Sequence, residues 1–281
     1  MTLRLGWFTT ARGSGSRGMF EAVIGAREAG RLPDVEFSFV FCNRDPSEDP
    51  VTDSFLDRAG GLGIPVVTKS SVRYRRAVGG ERSRAGKPLP VWRLEYDREV
   101  ERSLQPFPFD LGVLAGYMLI FEREFSLRHP LLNLHPALPG GPVGTWREVI
   151  RELIRTRATE SGIMLHLAIP EVDAGPVVSF CRYPIRGAAF AAGWDALPDD
   201  LASLSDDAIE ATALFTAIRS AGVHRESPLL VATLEAFADG RRSVSRGTIL
   251  DAESAPAPPA DLTAEVEAMV AESAKPAPRS Q

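Results

Sequence analysis

Residues 3–42 read LRLGWFTTARGSGSRGMFEAVIGAREAGRLPDVEFSFVFC and contain two apolar segments separated by a glycine-rich turn and a segment of helical spacing. The apolar segments, 3–9 and 35–42, predict two buried strands, and residues 19–29 predict the helix between them. The same alternation continues, with predicted helices at 51–61 and 95–105 and predicted strands at 64–67, 111–114 and 131–134. This order predicts an α/β fold with a doubly wound, mostly parallel sheet and helices on both faces.

The second half of the chain predicts an antiparallel C-terminal portion of that sheet. Residues 162–169 (GIMLHLAI) form a continuous apolar run, which favours a central strand. A short Asp-Ala-Gly-Pro turn leads to a further strand at 177–183, and so short a link favours an antiparallel neighbour. Helices are predicted at 145–156, 204–220 and 226–239.

Composition divides the chain into a folded part and a tail. Hydrophobic residues make up 44% and charged residues 25%, which is ordinary for a globular protein. Residues 1–245 are predicted to form one domain. Residues 246–281 are rich in Ala, Pro and Glu and are predicted to be disordered, apart from a marginal helix at 261–272. Residues 73–88 (RYRRAVGGERSRAGKP) are predicted to be a basic loop.

Charge and cysteine usage argue against several classes of protein. The net charge of −5 argues against a protein that coats nucleic acid. Cys42 and Cys181 lie in predicted strands, as buried thiols of a reducing cytoplasm do, and no Cys or His cluster predicts a metal site. The chain opens on an apolar strand and has no apolar run of the roughly 20 residues that cross a bilayer. We therefore expect a cytoplasmic protein that binds small molecules rather than nucleic acid or membrane. The sequence leaves its oligomeric state open.

A glycine-rich loop, Gly13-Ser14-Gly15-Ser16-Arg17-Gly18, follows the first predicted strand and opens the first helix. Such a loop lets backbone N–H groups approach a phosphate at the positive end of the helix. The loop also matches the dinucleotide fingerprint GxGxxG, which expects an acidic residue after the second strand. Here Cys42-Asn43-Arg44 occupies that position, and no acidic residue is present in it. A dinucleotide site would therefore have to bind NADP, with Arg44 in contact with the 2′-phosphate. Phosphate binding, an NAD(P) site and a plain tight turn remain open from these residues.

Asn133 and His135 lie in Leu131-Leu132-Asn133-Leu134-His135-Pro136, at the end of a predicted strand. Residues two apart in a strand face the same side, and ligands bind at the carboxyl edge of open α/β sheets. A carboxamide and an imidazole can both donate hydrogen bonds to a developing oxyanion, and histidine can pass a proton near neutral pH.

Asp173 follows the central apolar run, in Pro170-Glu171-Val172-Asp173-Ala174-Gly175-Pro176. A carboxylate close to an imidazole favours the charged imidazolium and fixes its orientation, although an Asp in this pattern also caps turns. We expect Asn133, His135 and Asp173 to converge on one cleft within reach of the 13–18 loop. The absence of a GxSxG motif, and of a cysteine near a histidine, favours direct attack by an amine over a covalent intermediate.

These motifs together resemble the folate-dependent formyltransferase family over residues 3–245. The resemblance rests on the 13–18 loop, Cys42-Asn43-Arg44, Arg93-Leu94-Glu95-Tyr96-Asp97, Leu114-Ala115-Gly116-Tyr117-Met118, Asn133-Leu134-His135-Pro136, Asp173-Ala174-Gly175-Pro176 and the closing helix at 228–241. It implies transfer of a formyl group from 10-formyltetrahydrofolate to an amine, with 5-phosphoribosylglycinamide of purine (IMP) synthesis as the expected acceptor. No metal is implied.

The resemblance also implies a role for individual residues. Asn133 and His135 match the pair that stabilises the tetrahedral intermediate, and Asp173 matches the carboxylate that raises the pKa of the histidine. The residues that match the phosphate loop are Gly15, Ser16 and Arg17. The residues that match folate contacts are Arg93, Met118, Leu119, Ile120, Phe121, Asn133, Ile169, Pro170, Glu171, Val172 and Asp173.

The chain departs from the family pattern at three positions. Arg17 stands where the family has Asn, Leu119 where it commonly has Arg, and Val223 where an acidic residue helps to hold the acceptor. These departures leave the acceptor amine open. They also leave open an inactive relative that acts as a binding module, beside the NAD(P)-dependent oxidoreductase that the glycine loop alone would allow.

Overall fold

The computed structural model describes residues 2–82, 88–171 and 173–274. The strands are β1 (Leu3–Thr9), β2 (Val35–Cys42), β3 (Val66–Thr68), β4 (Leu111–Ala115), β5 (Leu131–His135), β6 (Glu160–Leu167), β7 (Val177–Pro184), β8 (Ser243–Ser245), β9 (Thr248–Leu250) and β10 (Ala260–Asp261). The helices are α1 (Ser14–Glu28), α2 (Pro50–Gly61), α3 (Ser71–Ala77), α4 (Val91–Leu104), α5 (Arg123–Arg128), α6 (Trp146–Arg155), α7 (Ala188–Asp195), α8 (Asp206–Glu210), α9 (Ala213–Ala238) and α10 (Thr263–Ser273), with a 3-10 turn at Leu201–Ser203.

Two compact units make up the chain, where the sequence predicts one domain over 1–245. The first unit contains Met1–Asn133, Leu167–Pro176 and Leu234–Ala257, and the second contains Leu134–His166, Val177–Thr233 and Pro258–Gln281. Alternation of strands and helices marks no such boundary in the sequence, because the segments of the two units interleave along the chain.

The first unit contains five parallel strands in the order β3-β2-β1-β4-β5. The chain runs outward from β1 to β3 and then returns to the other side of β1 to form β4 and β5. The direction of winding therefore reverses between β1 and β4. In open α/β sheets, ligands bind outside the carboxyl ends of the strands at such a switch point.

Helices cover both faces of this five-stranded sheet. Trp7 and Phe8 are neighbours on β1 and point to opposite faces, yet both are fully buried. On one face the Trp7 ring contacts Phe20 of α1 at 5.5 Å between ring centroids. On the other face Phe8 packs edge-on against Phe121 at 5.5 Å. Burial on both faces explains why most residues of these strands are apolar, and it confirms the predicted doubly wound, mostly parallel fold.

The second unit contains the predicted antiparallel pair. β6 and β7 are antiparallel, and β7 also pairs in parallel with the short β10. The two helices predicted at 204–220 and 226–239 differ from the structure, because α9 continues through Pro228 as one helix of 26 residues. No helix of the described residues is long and apolar enough to cross a membrane.

The structure contradicts the predicted disorder over the described residues 246–274, whereas α10 lies where the sequence predicts a marginal helix at 261–272. β9 and β10 lie in this segment, and Leu262 of the connection to α10 donates its N–H to Phe180 O at 2.9 Å. Leu262, Val266 and Met269 are buried, which places one apolar stripe of the segment against protein. This part of the segment has few apolar residues, but Leu262, Val266 and Met269 have helical spacing and all three side chains are buried.

The predicted basic loop at 73–88 is also partly helical. α3 covers its first residues, and the Ser70 hydroxyl caps the helix by accepting a hydrogen bond from Arg73 N at 3.1 Å. Residues 83–87 of this loop lie outside the described residues, as do residues 275–281 of the tail.

Leu262→Ala is expected to lower the free energy of unfolding by about 3 kcal/mol, because it removes a buried side chain that docks α10. Urea denaturation measures this loss. Glu265→Ala, an exposed position three residues further on, is the matched control and should stay within about 0.5 kcal/mol of the wild type. A Leu262→Ala variant as stable as the control would show that α10 adds nothing to the fold.

Candidate active site

β5 carries the first two predicted catalytic residues. Asn133 and His135 are two residues apart on this strand, so both side chains project from the same face of it. Asn133 is half-buried, whereas only 3% of the surface of His135 is exposed. A hydrogen bond of either side chain to a reacting oxygen would therefore form in a poorly hydrated environment, where such bonds stabilise charge most strongly.

One ring nitrogen of His135 makes a hydrogen bond that identifies it as a donor. Its Nε2 atom lies 2.9 Å from the carbonyl oxygen of Pro142. A carbonyl oxygen only accepts hydrogen bonds, so Nε2 carries a hydrogen and donates it.

Asp173 lies in the turn between β6 and β7, in a strained backbone conformation. Its φ is +56°, in the left-handed region, which costs a residue other than glycine about 1–3 kcal/mol. The turn is closed at its base, where Leu167 N donates to Pro176 O at 2.9 Å. Aspartate is one of the residues that adopt this conformation in turns, so the φ value agrees with a turn at this position. Val172, a predicted folate contact, lies outside the described residues.

The predicted convergence of the three catalytic residues stays a prediction. Asn133 and Asp173 belong to the first unit and His135 belongs to the second. The kinetics of single variants at these three positions test whether the residues act on the same reaction.

The predicted phosphate loop forms the first turn of α1. The helix begins after Gly13 with no side-chain cap. Arg17 N donates to Gly13 O at 3.4 Å, and the Ser16 hydroxyl donates to the same carbonyl at 2.9 Å. The N–H groups of Ser14, Gly15 and Ser16 precede the first helical hydrogen bond, so they can face an anion at the positive end of the helix.

Arg17 adds a cation to this loop. Its Nε atom is buried and has no hydrogen-bond partner among the described residues. Buried donors are normally paired, because an unpaired one costs its desolvation free energy. A phosphate oxygen at the start of α1 would satisfy this donor. The unpaired Nε of Arg17 is therefore compatible with the predicted phosphate site.

Gly116 joins the phosphate loop to the segment predicted to bind folate. Its φ is +67°, and a Cβ atom on it would lie 2.9 Å from Ser16 Cβ. The Gly116 carbonyl also accepts a hydrogen bond from Thr10 N at 3.3 Å. The loops after β1 and β4 thus meet at the switch point of the sheet, and only glycine permits this approach.

Arg93 is buried rather than open to a ligand. Only 1% of its surface is exposed, and its Nη2 atom donates to Asp97 Oδ1 at 3.0 Å and to Ile120 O at 2.8 Å. Asp97 Oδ2 in turn accepts from Glu122 N at 2.9 Å. The ion pair on α4 therefore clamps the backbone at 120–122, which places Arg93 behind the predicted folate segment.

The Asp97 carboxyl has a raised pKa. Desolvation by burial raises its pKa to about 6, and the Arg93 charge and the Glu122 N–H group oppose that rise. The carboxyl is therefore ionised at neutral pH, when the clamp is complete. Sequence reasoning missed the role of Asp97, although its position four residues after Arg93 on a helix is a signal for such a pair.

The side chains of the four predicted folate contacts at 118–121 differ in how far they are exposed. The Met118 side chain is 81% exposed, and Leu119 and Ile120 are half-buried. Phe121 is buried, with its ring stacked on Phe125 at 4.2 Å between centroids. The Phe121 ring is therefore part of the core, and the backbone of this residue is what it can offer a ligand.

A cavity of about 190 Å³ lies within the first unit. Three of the predicted folate contacts, Ile169, Pro170 and Glu171, line it. Its other walls come from the region of α5, the start of β5 and the turn between β8 and β9: Arg123, Ser126, Leu127, Arg128, Pro130, Leu131, Leu167, Ala168, Pro176, Val244, Arg246 and Gly247. Apolar walls with convergent cationic groups are suited to a flat heterocycle that carries an anionic tail.

Comparison with known proteins assigns the chain to a family. Residues 13–187 match the model of the family described as "Formyl transferase". This range contains more than half of the chain, and the protein therefore belongs to the formyl transferase family. Members of this family use 10-formyltetrahydrofolate as a cosubstrate and act on small molecules. The resemblance predicted from the sequence is confirmed, and the NAD(P)-dependent oxidoreductase is set aside.

Two relatives are proteins named phosphoribosylglycinamide formyltransferase. The chain is 36% identical to that of Dictyostelium discoideum over 182 residues, which cover 61% of this chain and 81% of the relative. It is 28% identical to that of Schizosaccharomyces pombe, which it covers to 80%. Among solved structures, the phosphoribosylglycinamide formyltransferase of Coxiella burnetii superposes with a TM-score of 0.61 over 93% of this chain and 100% of that one. At 18% identity, this last likeness shows the fold alone.

Proposed function

We propose that this protein transfers the formyl group of 10-formyltetrahydrofolate to the amine of 5-phosphoribosylglycinamide, in the cytoplasm, as a step of de novo purine synthesis. The observation that carries the proposal is the 36% identity to a phosphoribosylglycinamide formyltransferase, of which the chain covers 81%. The glycine-rich loop at the start of α1 and the cavity of the first unit support the proposal, because one suits an anion and the other suits a flat ring system.

The folate is proposed to lie along the 118–121 segment and in the cavity lined by Ile169, Pro170 and Glu171. The clamp of Arg93 and Asp97 supports this arrangement, because it fixes the backbone at 120–122 from behind. Predicted folate contacts thus fall into two kinds. Ile169 to Glu171 touch the ligand, whereas Arg93 positions the segment that touches it.

The chemical step is proposed to use Asn133, His135 and Asp173. As the acceptor nitrogen attacks the formyl carbon, a new C–N bond forms and negative charge develops on the formyl oxygen. The Asn133 amide and the protonated His135 ring donate hydrogen bonds to that oxygen. The bond from carbon to N10 of the folate then breaks, and one proton passes from the acceptor amine to N10. Asp173 holds His135 in its charged form.

The acceptor phosphate is proposed to bind at the start of α1. The N–H groups of Gly15 and Ser16 and the unpaired Nε of Arg17 support this site. A cation at position 17 also allows acceptors other than 5-phosphoribosylglycinamide, provided that they carry a phosphate. Val223 supports the same alternative, because it lacks the acid that the family uses near the acceptor.

The proposal is tested by giving the purified protein 10-formyltetrahydrofolate with and without 5-phosphoribosylglycinamide. Release of tetrahydrofolate should depend on this amine and should saturate with it. Other phosphorylated amines serve as comparison acceptors, and a higher kcat/KM for one of them would transfer the assignment to that substrate. Folate consumption that no amine accelerates would contradict formyl transfer altogether.

Gly116→Ala is expected to raise the KM for the phosphorylated acceptor about tenfold, because the new Cβ displaces Ser16 in the phosphate loop. Gly79→Ala is the matched control. Gly79 has a similar φ of +64°, but no atom lies within 4 Å of its Cβ position. Both variants should lose about 1–3 kcal/mol of stability through the left-handed backbone. An unchanged KM in Gly116→Ala would show that Ser16 does not hold the phosphate.

A further inference from the structure

The cavity of the first unit has an excess of positive charge. Among the described residues, its lining contains Arg123, Arg128 and Arg246 and one acidic residue, Glu171. Arg128 is already engaged, since it makes two hydrogen bonds of 2.8 Å to the Glu101 carboxylate. Arg123 and Arg246 are exposed, and neither guanidinium has a hydrogen bond or an ion pair among the described residues. Two cations are thus available to an anionic group of a ligand.

Arg246 lies in a backbone conformation that arginine rarely adopts. It and Gly247 form the two-residue connection of the β8–β9 hairpin, with Ser245 paired to Thr248. Both connecting residues have positive φ, +49° for Arg246 and +76° for Gly247, as a type I′ turn requires. The preferred first residue of such a turn is Asn, Asp or Gly. The hairpin tolerates Arg there at a cost in stability, so folding does not explain the choice.

We propose that Arg246 and Arg123 bind the carboxylates of the glutamate tail of the folate, with its ring system in the cavity between them and Ile169 to Glu171. This inference rests on the proposed function, since it assigns residues to a part of the proposed cosubstrate. Arginine forms paired hydrogen bonds with a carboxylate, and two arginines on different elements suit a tail with two carboxylates. Arg93 is excluded from this role, because its guanidinium is buried against Asp97 and the Ile120 carbonyl.

Arg246→Asn is the decisive variant, because asparagine is favoured in a type I′ turn. The substitution removes the charge while the hairpin keeps its conformation. The melting temperature should be equal to that of the wild type or higher. Arg241→Asn is the matched control, since Arg241 is exposed, lies just before the hairpin and does not line the cavity.

The experiment measures the affinity of each protein for two ligands, tetrahydrofolate and tetrahydropteroate, which lacks the glutamate. The Kd of Arg246→Asn for tetrahydrofolate should rise about tenfold, and Arg123→Ala should give a similar loss, which corresponds to one charged hydrogen bond. The Kd for tetrahydropteroate should stay within about twofold, and Arg241→Asn should leave both values unchanged.

The outcomes separate this inference from the proposed function. If the wild type binds neither ligand, the proposed function fails and the inference falls with it. If the wild type binds both ligands equally well, or if Arg246→Asn weakens both to the same extent, the proposed function stands and the assignment of the arginines is overturned. A loss of affinity in Arg246→Asn that is confined to tetrahydrofolate supports the assignment of the arginines.

Discussion

His135→Ala should lower kcat about 10²-fold or more and leave the Kd for the folate nearly unchanged. The imidazole acts on charge that develops only in the transition state, so its removal affects the reaction rather than the binding of the ground state. Asn133→Ala should behave in the same way, because the carboxamide donates to the same oxygen. Steady-state kinetics with both substrates measure kcat, and equilibrium folate binding measures Kd.

Two controls separate catalysis from folding in these variants. His135 is buried, so His135→Gln, which fills more of the space, shows whether the loss follows the proton donor or the cavity. His129→Ala makes the same chemical change six residues away, where the ring bonds to Glu101 and stacks on Phe109, and should keep kcat within about threefold. Near-normal turnover in well-folded His135→Ala would refute the catalytic assignment of His135.

Asp173→Asn tests whether the carboxylate acts on His135. If His135 is the proton donor, activity requires the charged ring and falls as the pH rises through its pKa. Removal of the nearby negative charge lowers that pKa, so the alkaline limb of the pH–rate profile should move to lower pH. A uniform loss of activity at every pH would instead assign Asp173 to the structure of its turn.

Arg93→Met should lower the free energy of unfolding by about 3–5 kcal/mol at neutral pH, because it leaves the Asp97 carboxylate buried without its partner. Methionine retains much of the packing of the arginine stem, so the loss reports mainly on charge. Urea denaturation measures the loss. Arg102→Met, at an exposed position of the same helix, is the matched control and should change stability by less than about 0.5 kcal/mol.

The loss of stability in Arg93→Met should increase as the pH rises. Burial already raises the pKa of Asp97 to about 6 in the wild type, and removal of the Arg93 charge raises it further. Between the pKa values of the unfolded and the folded carboxyl, the folded protein binds more protons, so stability falls as the pH rises. The deficit of the variant should therefore be larger at pH 8 than at pH 5. A deficit that is constant with pH would show that the loss comes from packing.

The double variant Arg93→Met, Asp97→Leu separates stability from function. An apolar pair of similar volume should recover most of the stability, because it leaves no buried charge. The backbone at 120–122 would still lack its two anchors, at Ile120 O and at Glu122 N. Folate affinity should therefore remain weakened in a well-folded protein, and full recovery of affinity would contradict the role of the clamp.

The sheet could be predicted from the sequence because each strand and helix has a pattern of apolar residues that is visible within its own segment. Strands such as β1 and β2 are covered on both faces, so most of their residues are apolar. The helices between the strands show the helical spacing of apolar residues instead. The order of the tail could not be predicted in this way, beyond a marginal helix at 261–272. Leu262, Val266 and Met269 are three apolar residues among alanines and glutamates, and their burial stabilises α10 together with the ion pair between Arg225 and Glu267.

The site could be predicted in part for the same reason. Asn133 and His135 share a face because they are two residues apart on one strand, a relation that is visible in the sequence. The role of Arg93 could not be predicted, since its burial depends on Ile120 and Glu122, which follow almost 30 residues later. The sequence does not show that Arg246 lines the cavity, because the β8–β9 hairpin brings it there from a distant part of the chain.

Transfer of an isotopic label tests the central claim most directly. 10-Formyltetrahydrofolate labelled with ¹³C in the formyl group is incubated with the protein and 5-phosphoribosylglycinamide, and the products are identified by NMR. The account predicts that the label moves to the amine nitrogen of the acceptor in a yield equal to the tetrahydrofolate released. Label recovered as free formate, or label that remains on the folate in the presence of the acceptor, would contradict it.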